Sequence, residues 1–392
     1  MDNPVVIVGA KRTAIGSLLG QYTGVPATQL GATAVRAALE QSGVTPADVS
    51  EVFMGCVLPA NLGQAPARQA AIGAGIPTSA GCTTINKVCG SGMKAIMLGH
   101  DLIKAGSATI VVAGGMESMT NAPHMIPNSR TGSRYGNFEA VDHMAWDGLV
   151  NPYDKQAMGV FAEQCAAKYG FTREDQDAFA SESVRRANAA LQSGAFAGEI
   201  ASVTVEGRKG KVEVATDEEP PKCDLSKVAG LRPAFKKDGT ITAATSSKIS
   251  DGAAATVLMR ADDAAKRGLI ALARIVGHAT HSQDPEWFTT APVGAIDKLL
   301  KQVGWKVGDV DLFEVNEAFA CVAMAPMREL GIPHDKLNVH GGACALGHPI
   351  GASGARLVVS LIHALKARGG KRGVASLCIG GGEATALAVE LA

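Results

Sequence analysis

The chain echoes itself. "ADVSEVFMGC" (47–56) returns as "GDVDLFEVNE" (308–317), and "CGSGMKAIMLGHDLIKAG" (89–106) returns as "GASGARLVVSLIHALKARG" (351–369). "IVVAGGMES" (110–118) returns as "SLCIGGGEA" (376–384). The three elements keep their order: an apolar run, a glycine-rich turn opening a helix, and a strand-like run ending in glycines. This predicts two similar α/β domains, one early and one late. A site between them can draw on corresponding loops from both.

The strand-like runs are short and near-continuously apolar: 4–10, 49–55, 108–115, 310–316 and 373–382. Such runs suit strands covered on both faces. Helical stripes lie between them, as in Leu30, Ala34, Ala37 and Ala38, and in Leu357, Val358, Leu361, Ile362 and Leu365 before "RGG". Strands alternating with helices predict parallel sheets. The middle, 119–248, differs. It has irregular stretches such as "EGRKGKVEVATDEEPPKCD" and one clear helix from Thr172, with Glu174 close to the cap. It reads as a loop domain inserted in the first half. The expected division is 1–118 plus 249–270, the inserted 119–248, and 271–392.

Composition limits what such a chain can be. The 392 residues suffice for two or three domains, and 46% apolar, 19% charged residues with 46 glycines fit a compact α/β protein. Basic and acidic residues balance at 37 each, so neither a nucleic acid nor an acidic membrane is the expected partner. The eight cysteines (Cys56, Cys82, Cys89, Cys165, Cys223, Cys321, Cys344 and Cys378) form no CxxC pair. No metal site is expected from them, and reduced thiols point to a reducing compartment. A strand begins within a few residues of Met1, and no apolar run reaches the roughly 18–20 residues that span a bilayer. The expectation is cytoplasmic, and a trimmed organellar form would read the same.

Three segments set reactive side chains beside glycines. Cys89 precedes "GSG" at a helix start, where the helix dipole should lower a thiol pKa. His348 lies in "GGACALGHPIGASG", and Cys378 ends a strand before "IGGGEA". A cysteine and a distant histidine compose a thiol nucleophile with its base, but structural cysteines fit the spacing too. "GSGMKA" with Glu117 also satisfies a dinucleotide-binding pattern, although Glu117 follows the strand and "TTINKV" is a poor first strand. Asn316 could cap the helix of "EAFACVAMAPMREL". His340 and His363 read as bland, and Cys82, Cys321 and Cys344 as core thiols.

"INKVCGSGMKAI", "NEAFA" (316–320), "GGACALGHPIGASGAR" (341–356) and "CIGGGEA" (378–384) resemble the four signature blocks of the thiolase family, in the family's order. The likeness covers essentially the whole chain and is strongest to its acetyl-CoA C-acetyltransferase branch. It implies a five-layer α-β-α-β-α core with an inserted loop domain. The implied activity is reversible Claisen condensation of two acetyl-CoA, through an acyl-cysteine. The longer-chain degradative 3-ketoacyl-CoA branch is the alternative. It implies Cys89 as nucleophile, His348 as its base, Cys378 as acid/base for the carbon chemistry, and Asn316 holding a water at the enolate oxygen. The N–H groups of Cys89 and Gly380 would make a second oxyanion hole.

The resemblance also implies CoA contacts at Leu149, Met158, Ala243, Ser247, Phe288, Ala318 and Phe319, no separate cofactor, and a homotetramer built as a dimer of dimers. The chain departs from the family at Thr245, Lys248 and Ser250, at Ala157 for a histidine, and at Pro220 for an arginine. Lys222 or Lys248 is then the candidate for the polar end of CoA. Phe288 replaces a common Met, as in relatives whose implied substrates include 2-methyl-branched acyl groups. Val184 stands where a potassium-linked tyrosine occurs, so no potassium site is expected. A decarboxylating ketoacyl synthase of the same fold would want Cys-His-His or Cys-His-Asn, and a non-catalytic carrier would be expected to lose Cys89 or His348.

Overall fold

Two sets of strands frame the site in the computed structural model, which describes residues 3–207 and 210–392. The first comprises β1 (Val5–Thr13), β2 (Glu51–Gly55), β3 (Gly81–Ile85), β4 (Ile110–Ser118) and β5 (Ser250–Arg260), in the order β3-β2-β4-β5-β1. The second comprises β6 (Ala273–Ser282), β7 (Leu312–Val315), β8 (Arg372–Ile379) and β9 (Glu383–Leu391), in the order β7-β8-β9-β6. The orders correspond strand for strand. The counterpart of the edge strand β3 shrinks to a single bridge, Phe313 to Leu337. The halves join where β1 pairs antiparallel with β6, Val6 opposite Arg274 and Ile7 opposite Ala273.

The parallel sheet expected from sequence is only partly present. β2 runs parallel to β3 and β4, and β7 to β8. The pairs β4–β5, β5–β1, β8–β9 and β9–β6 are antiparallel. The connections explain this. β8 reaches β9 through a tight turn at 380–382, with Gly381 and Gly382 at φ of 95 and 90. A turn that short can join only antiparallel neighbours, whereas parallel strands need a crossover.

The helices used below, in chain order, are α1 (Ala27–Ser42), α2 (Pro66–Gly73), α3 (Ser91–Lys104), α4 (Met158–Tyr169), α5 (Arg173–Ser193), α6 (Ala291–Val303), α7 (Ala320–Leu330) and α8 (Ile350–Arg368). α1 and α2 cover the outer face of the first half, and α6 and α7 that of the second. α3 and α8 pack on each other and on strands of both halves. The result is five layers, α-β-α-β-α.

Layer position accounts for helix composition. α1 is amphipathic: Leu30, Ala34, Val35, Ala38 and Leu39 are buried, and Ala37 only half so. α8 is apolar nearly all round, its five stripe residues buried. By length and composition α8 could cross a membrane, but 83% of its apolar window is buried inside the fold. α3 and α8 approach through corresponding glycines. A Cβ on Gly92 would lie 2.8 Å from the Ala355 nitrogen, and one on Gly354 would lie 2.5 Å from that of Met93. Backbone cannot yield to such contacts, which is why the repeated "SG" recurs in both halves.

The segment between β4 and β5 holds α4, α5 and a hairpin, Val203–Gly207 with Gly210–Val214, within a stretch read from sequence as irregular. Arg208 and Lys209 lie outside the described residues. α5 begins with a Thr172 capping box closed by Asp175, not Glu174, and ends at the left-handed Gly194. Arg12 of β1 ties this segment to the frame. Its guanidinium reaches Asp217 at 2.7 and 2.8 Å and Glu199 at 2.6 Å, all three side chains fully buried.

Candidate active site

Cys89 sits on a strained turn. Val88 has φ of 45, a left-handed conformation that a β-branched residue rarely adopts. Ser91 holds the turn from both sides: its hydroxyl accepts from Lys87 N–H at 2.8 Å and donates to Val88 C=O at 2.6 Å. Asn86 caps it, taking the Val88 N–H at 3.0 Å. Cys89 is thereby presented, half-buried, at the start of α3 beside Val57, Leu58 and Ile350.

Ser353 does for the second half what Ser91, its counterpart, does for the first. Its hydroxyl donates to Pro349 C=O at 2.9 Å and lies 2.6 Å from His348 Nδ1. A hydroxyl has one proton, so the His348 Nδ1–H donates to it and Nε2 keeps its lone pair. That lone pair faces Asn316 Nδ2 at 3.4 Å. His348 is buried. Burial first, and the charge of Arg356 second, pull its pKa down to about 3, so it rests as a neutral base.

The loop that carries His348 hangs on a carboxylate. Glu117, at the end of β4, accepts the N–H groups of Val57, Leu58 and Gly351 at 3.0, 3.1 and 2.8 Å. Burial raises its pKa to about 7 against the pull of those donors. This placement removes the dinucleotide reading, since Glu117 is committed inside the protein. Asn316 is no helix cap either: α7 starts after Phe319 with no side-chain cap, and the Asn316 amide points at His348.

Cys378 lies at the end of β8 in the buried cluster of α4 and α7, and burial first, then the charge of Cys89, holds its thiol well above the usual range. The Gly380 N–H faces the Cys89 sulfur and favours its ionised form. A Cβ on Gly380 would touch Val88 and the Met158 sulfur at 3.7 and 3.8 Å. Lys87 and Glu383 pair across the same gap. The fold therefore gathers Cys89, Gly380 and Cys378 in one place, and His348 with Asn316 beside the Ile350 turn that Cys89 packs against.

The helix start does not win at Cys89. Burial pushes its thiol up to about 11, outweighing the N–H groups of Gly380 and of Cys89 itself. The sequence expectation of a lowered pKa is corrected: thiol and imidazole both rest neutral. Alkylation of Cys89 by iodoacetamide in the free protein should therefore rise roughly tenfold per unit between about pH 7 and 10. Peptide mapping at Cys89 measures this. A rate already flat at pH 7 would mean a preformed thiolate.

Family models for the thiolase N-terminal domain and the thiolase C-terminal domain match residues 5–262 and 269–391. The chain belongs to the thiolase family. The acetyl-CoA acetyltransferase of Chromobacterium violaceum is 53% identical over 98% of the chain and 99% of its own length. Acetyl-CoA acetyltransferase 2 of Arabidopsis thaliana is 50% identical over 99% of the chain and 97% of its own. The crystal structure of the Bacillus anthracis acetyl-CoA acetyltransferase matches with a TM-score of 0.97 and 40% identity, covering 100% of this chain and 99% of that one.

In this thiolase the residues expected to contact CoA lie in several surroundings. Ala243 lines an outer pocket of about 320 Å³ with Lys222, Lys227, Lys248 and Val184. Ser247 N–H bonds the Ala318 C=O at 3.0 Å, and Phe319 bridges the adjacent Ser246. Ala318, Phe319 and Phe288 are buried in the cluster that holds Cys378, with Met158 at its margin. Leu149 packs in the group around Cys89. Lys248 already bonds the carbonyls of Ala243 and Ser246, and Lys222 reaches Glu218 and Ser17.

Of the cysteines read as core, Cys321 and Cys344 are buried, but Cys82 is half-buried on the edge strand β3, opposite Val52 of β2. His363 donates to Ala10 C=O, and His340 meets Phe196 edge to face. Sequence reading missed Ser353, Arg356 and the positioning role of Glu117. Ser353 had a signal, as the counterpart of Ser91 in the repeat.

Proposed function

We propose that this thiolase is an acetyl-CoA acetyltransferase, reversibly joining two acetyl-CoA into acetoacetyl-CoA and CoA, with thiolysis as the reverse reaction. The observation that carries the reading is a neutral Nε2 base on His348, next to the Ile350 turn that Cys89 packs against, together with a second thiol, Cys378, close enough to Cys89 for their charges to interact. A ketoacyl synthase would show a second histidine or asparagine in place of the second thiol.

The resting protonation states order the steps. His348 Nε2 takes the Cys89 proton as sulfur attacks the thioester carbonyl. The buried Cys378, whose pKa stands well above that of a free thiol, starts as an acid and gives its proton to the departing CoA sulfur. That leaves acetyl-Cys89 and a Cys378 thiolate basic enough to take a methyl proton from the second acetyl-CoA. The enolate oxygen is held by donors on the His348 and Asn316 side. The carbonyl of acetyl-Cys89 takes the Cys89 and Gly380 N–H groups. One such donor is typically worth about 3–4 kcal/mol. The enolate carbon attacks, Cys89 sulfur leaves, and the imidazolium returns its proton. CoA would enter along Ala243, Ser247, Phe319 and Met158, its phosphates near the lysines of the outer pocket.

Cys378→Ala tests the assignment. Acetylation of Cys89 from acetyl-CoA should persist, slowed by loss of the proton donor to the departing CoA sulfur, while condensation and thiolysis fall about 10²–10⁴-fold. Mass spectrometry of the intact protein and loss of acetoacetyl-CoA absorbance measure the two. A variant that condenses at the normal rate would require another base.

A further inference from the structure

Away from the thiols, α3 and β6 bring two histidines and an aspartate to one point on the surface. His100 and Asp101 come from the last turns of α3, in the first half. His278 comes from β6, in the second half, just past a bulge between Ile275 and Gly277. His100 Nδ1 lies 3.0 Å from Asp101 Oδ1, His278 Nε2 lies 2.9 Å from the same oxygen, and the two ring nitrogens are 3.3 Å apart. The rings are only 14% and 16% exposed, and Asp101 is 54% exposed.

These edges suit a bound ion. Two ligand atoms about 2.1 Å from a metal stand about 3.0 Å apart at a right angle and about 3.4 Å apart at the tetrahedral angle. The triangle matches on all three sides. Without an ion the two rings share one carboxylate oxygen. If both rings donate to the single Asp101 oxygen, their two N–H groups face each other across 3.3 Å. One ion replaces both contacts, and each ring carries its proton on its other nitrogen, with no net proton released. The three residues line an open pocket of about 220 Å³ with Lys104, Val276 and Gln302, which leaves room for water on the remaining coordination positions.

We propose that His100, Asp101 and His278 form a surface site for a late first-row divalent cation such as Zn²⁺, Ni²⁺ or Co²⁺, pinning α3 to β6 across the two halves. Two imidazoles and one carboxylate select such ions over Mg²⁺ and Ca²⁺, which prefer all-oxygen shells. The nearby positive charge of Lys104 opposes the cation and sets a modest affinity. The sequence showed no sign of the site, because His278 joins the other two only through the meeting of the halves.

Equilibrium dialysis of the full chain against Zn²⁺, and absorption spectra with Co²⁺, test it. Wild type should bind one equivalent more than His278→Ala and than Asp101→Asn, whose side chain is exposed and whose shape is kept. Zn²⁺ at a hundredfold excess over Kd should raise Tm by about 3 °C in wild type and in neither variant, and Mg²⁺ should not. Co²⁺ should give weak visible bands that the variants lose. Equal uptake by wild type and both variants, no uptake by any, or only the intense near-ultraviolet bands of thiolate ligation would overturn the assignment.

Discussion

Cys89→Ser should abolish acyl transfer, lowering condensation and thiolysis on the order of 10⁴–10⁶-fold. Serine keeps the size and the donors around it, so the turn built by Val88, Ser91 and Asn86 should stand unchanged. What is lost is the sulfur. A thiol near 11 is within reach of a buried imidazole assisted by two N–H groups, whereas an alcohol is not. A serine ester would also lie downhill of the CoA thioester and would not give the acyl group back. The expected result is no acyl-enzyme on rapid mixing with acetyl-CoA, together with an unchanged melting temperature. Acetylation at the wild-type rate would refute the nucleophile assignment.

Arg12→Met should cost about 3–5 kcal/mol of stability, the largest effect expected outside the site. The substitution conserves much of the volume but strands two fully buried carboxylates, Glu199 and Asp217. Removing one partner from a buried ionic cluster leaves charges without water or counter-ion, which is worse than having built no cluster. Asp217 also takes the Ile15 N–H at 2.7 Å, so repulsion there should loosen the path from β1 into the inserted segment. Urea unfolding of wild type, Arg12→Met and the triple variant with Glu199→Gln and Asp217→Asn measures this. The triple variant should recover much of the loss. If Arg12→Met alone unfolds like wild type, the cluster contributes nothing.

The internal echo made the two-fold plan legible, and the signature blocks made Cys89, His348 and Cys378 legible, because glycines at strand and helix ends leave marks in sequence. β5, β6 and β9 were harder. "SDGAAATVLMR", "ARIVGHATHS" and "EATALAVEL" open or fill with small and polar residues, so they do not stand out as continuous apolar runs, and only a paired neighbour shows why small side chains are needed. The direction of the Cys89 shift was misread for a related reason. A helix start is visible in sequence, but the apolar walls supplied by residues 57, 58 and 350 are not. Glu117 was hidden because a carboxylate under three backbone N–H groups looks, in one dimension, like any acidic residue after a strand.

The shared middle layer has a consequence for how the chain matures. α3 belongs by sequence to the first half, yet α8 and β9, made hundreds of residues later, pack against it. A nascent chain released near residue 270 would hold a complete first sheet with one apolar side bare. The polypeptide should thus behave as one cooperative unit despite its duplicated plan, with half-made intermediates the stage at which it is most prone to clump and to need a holding chaperone.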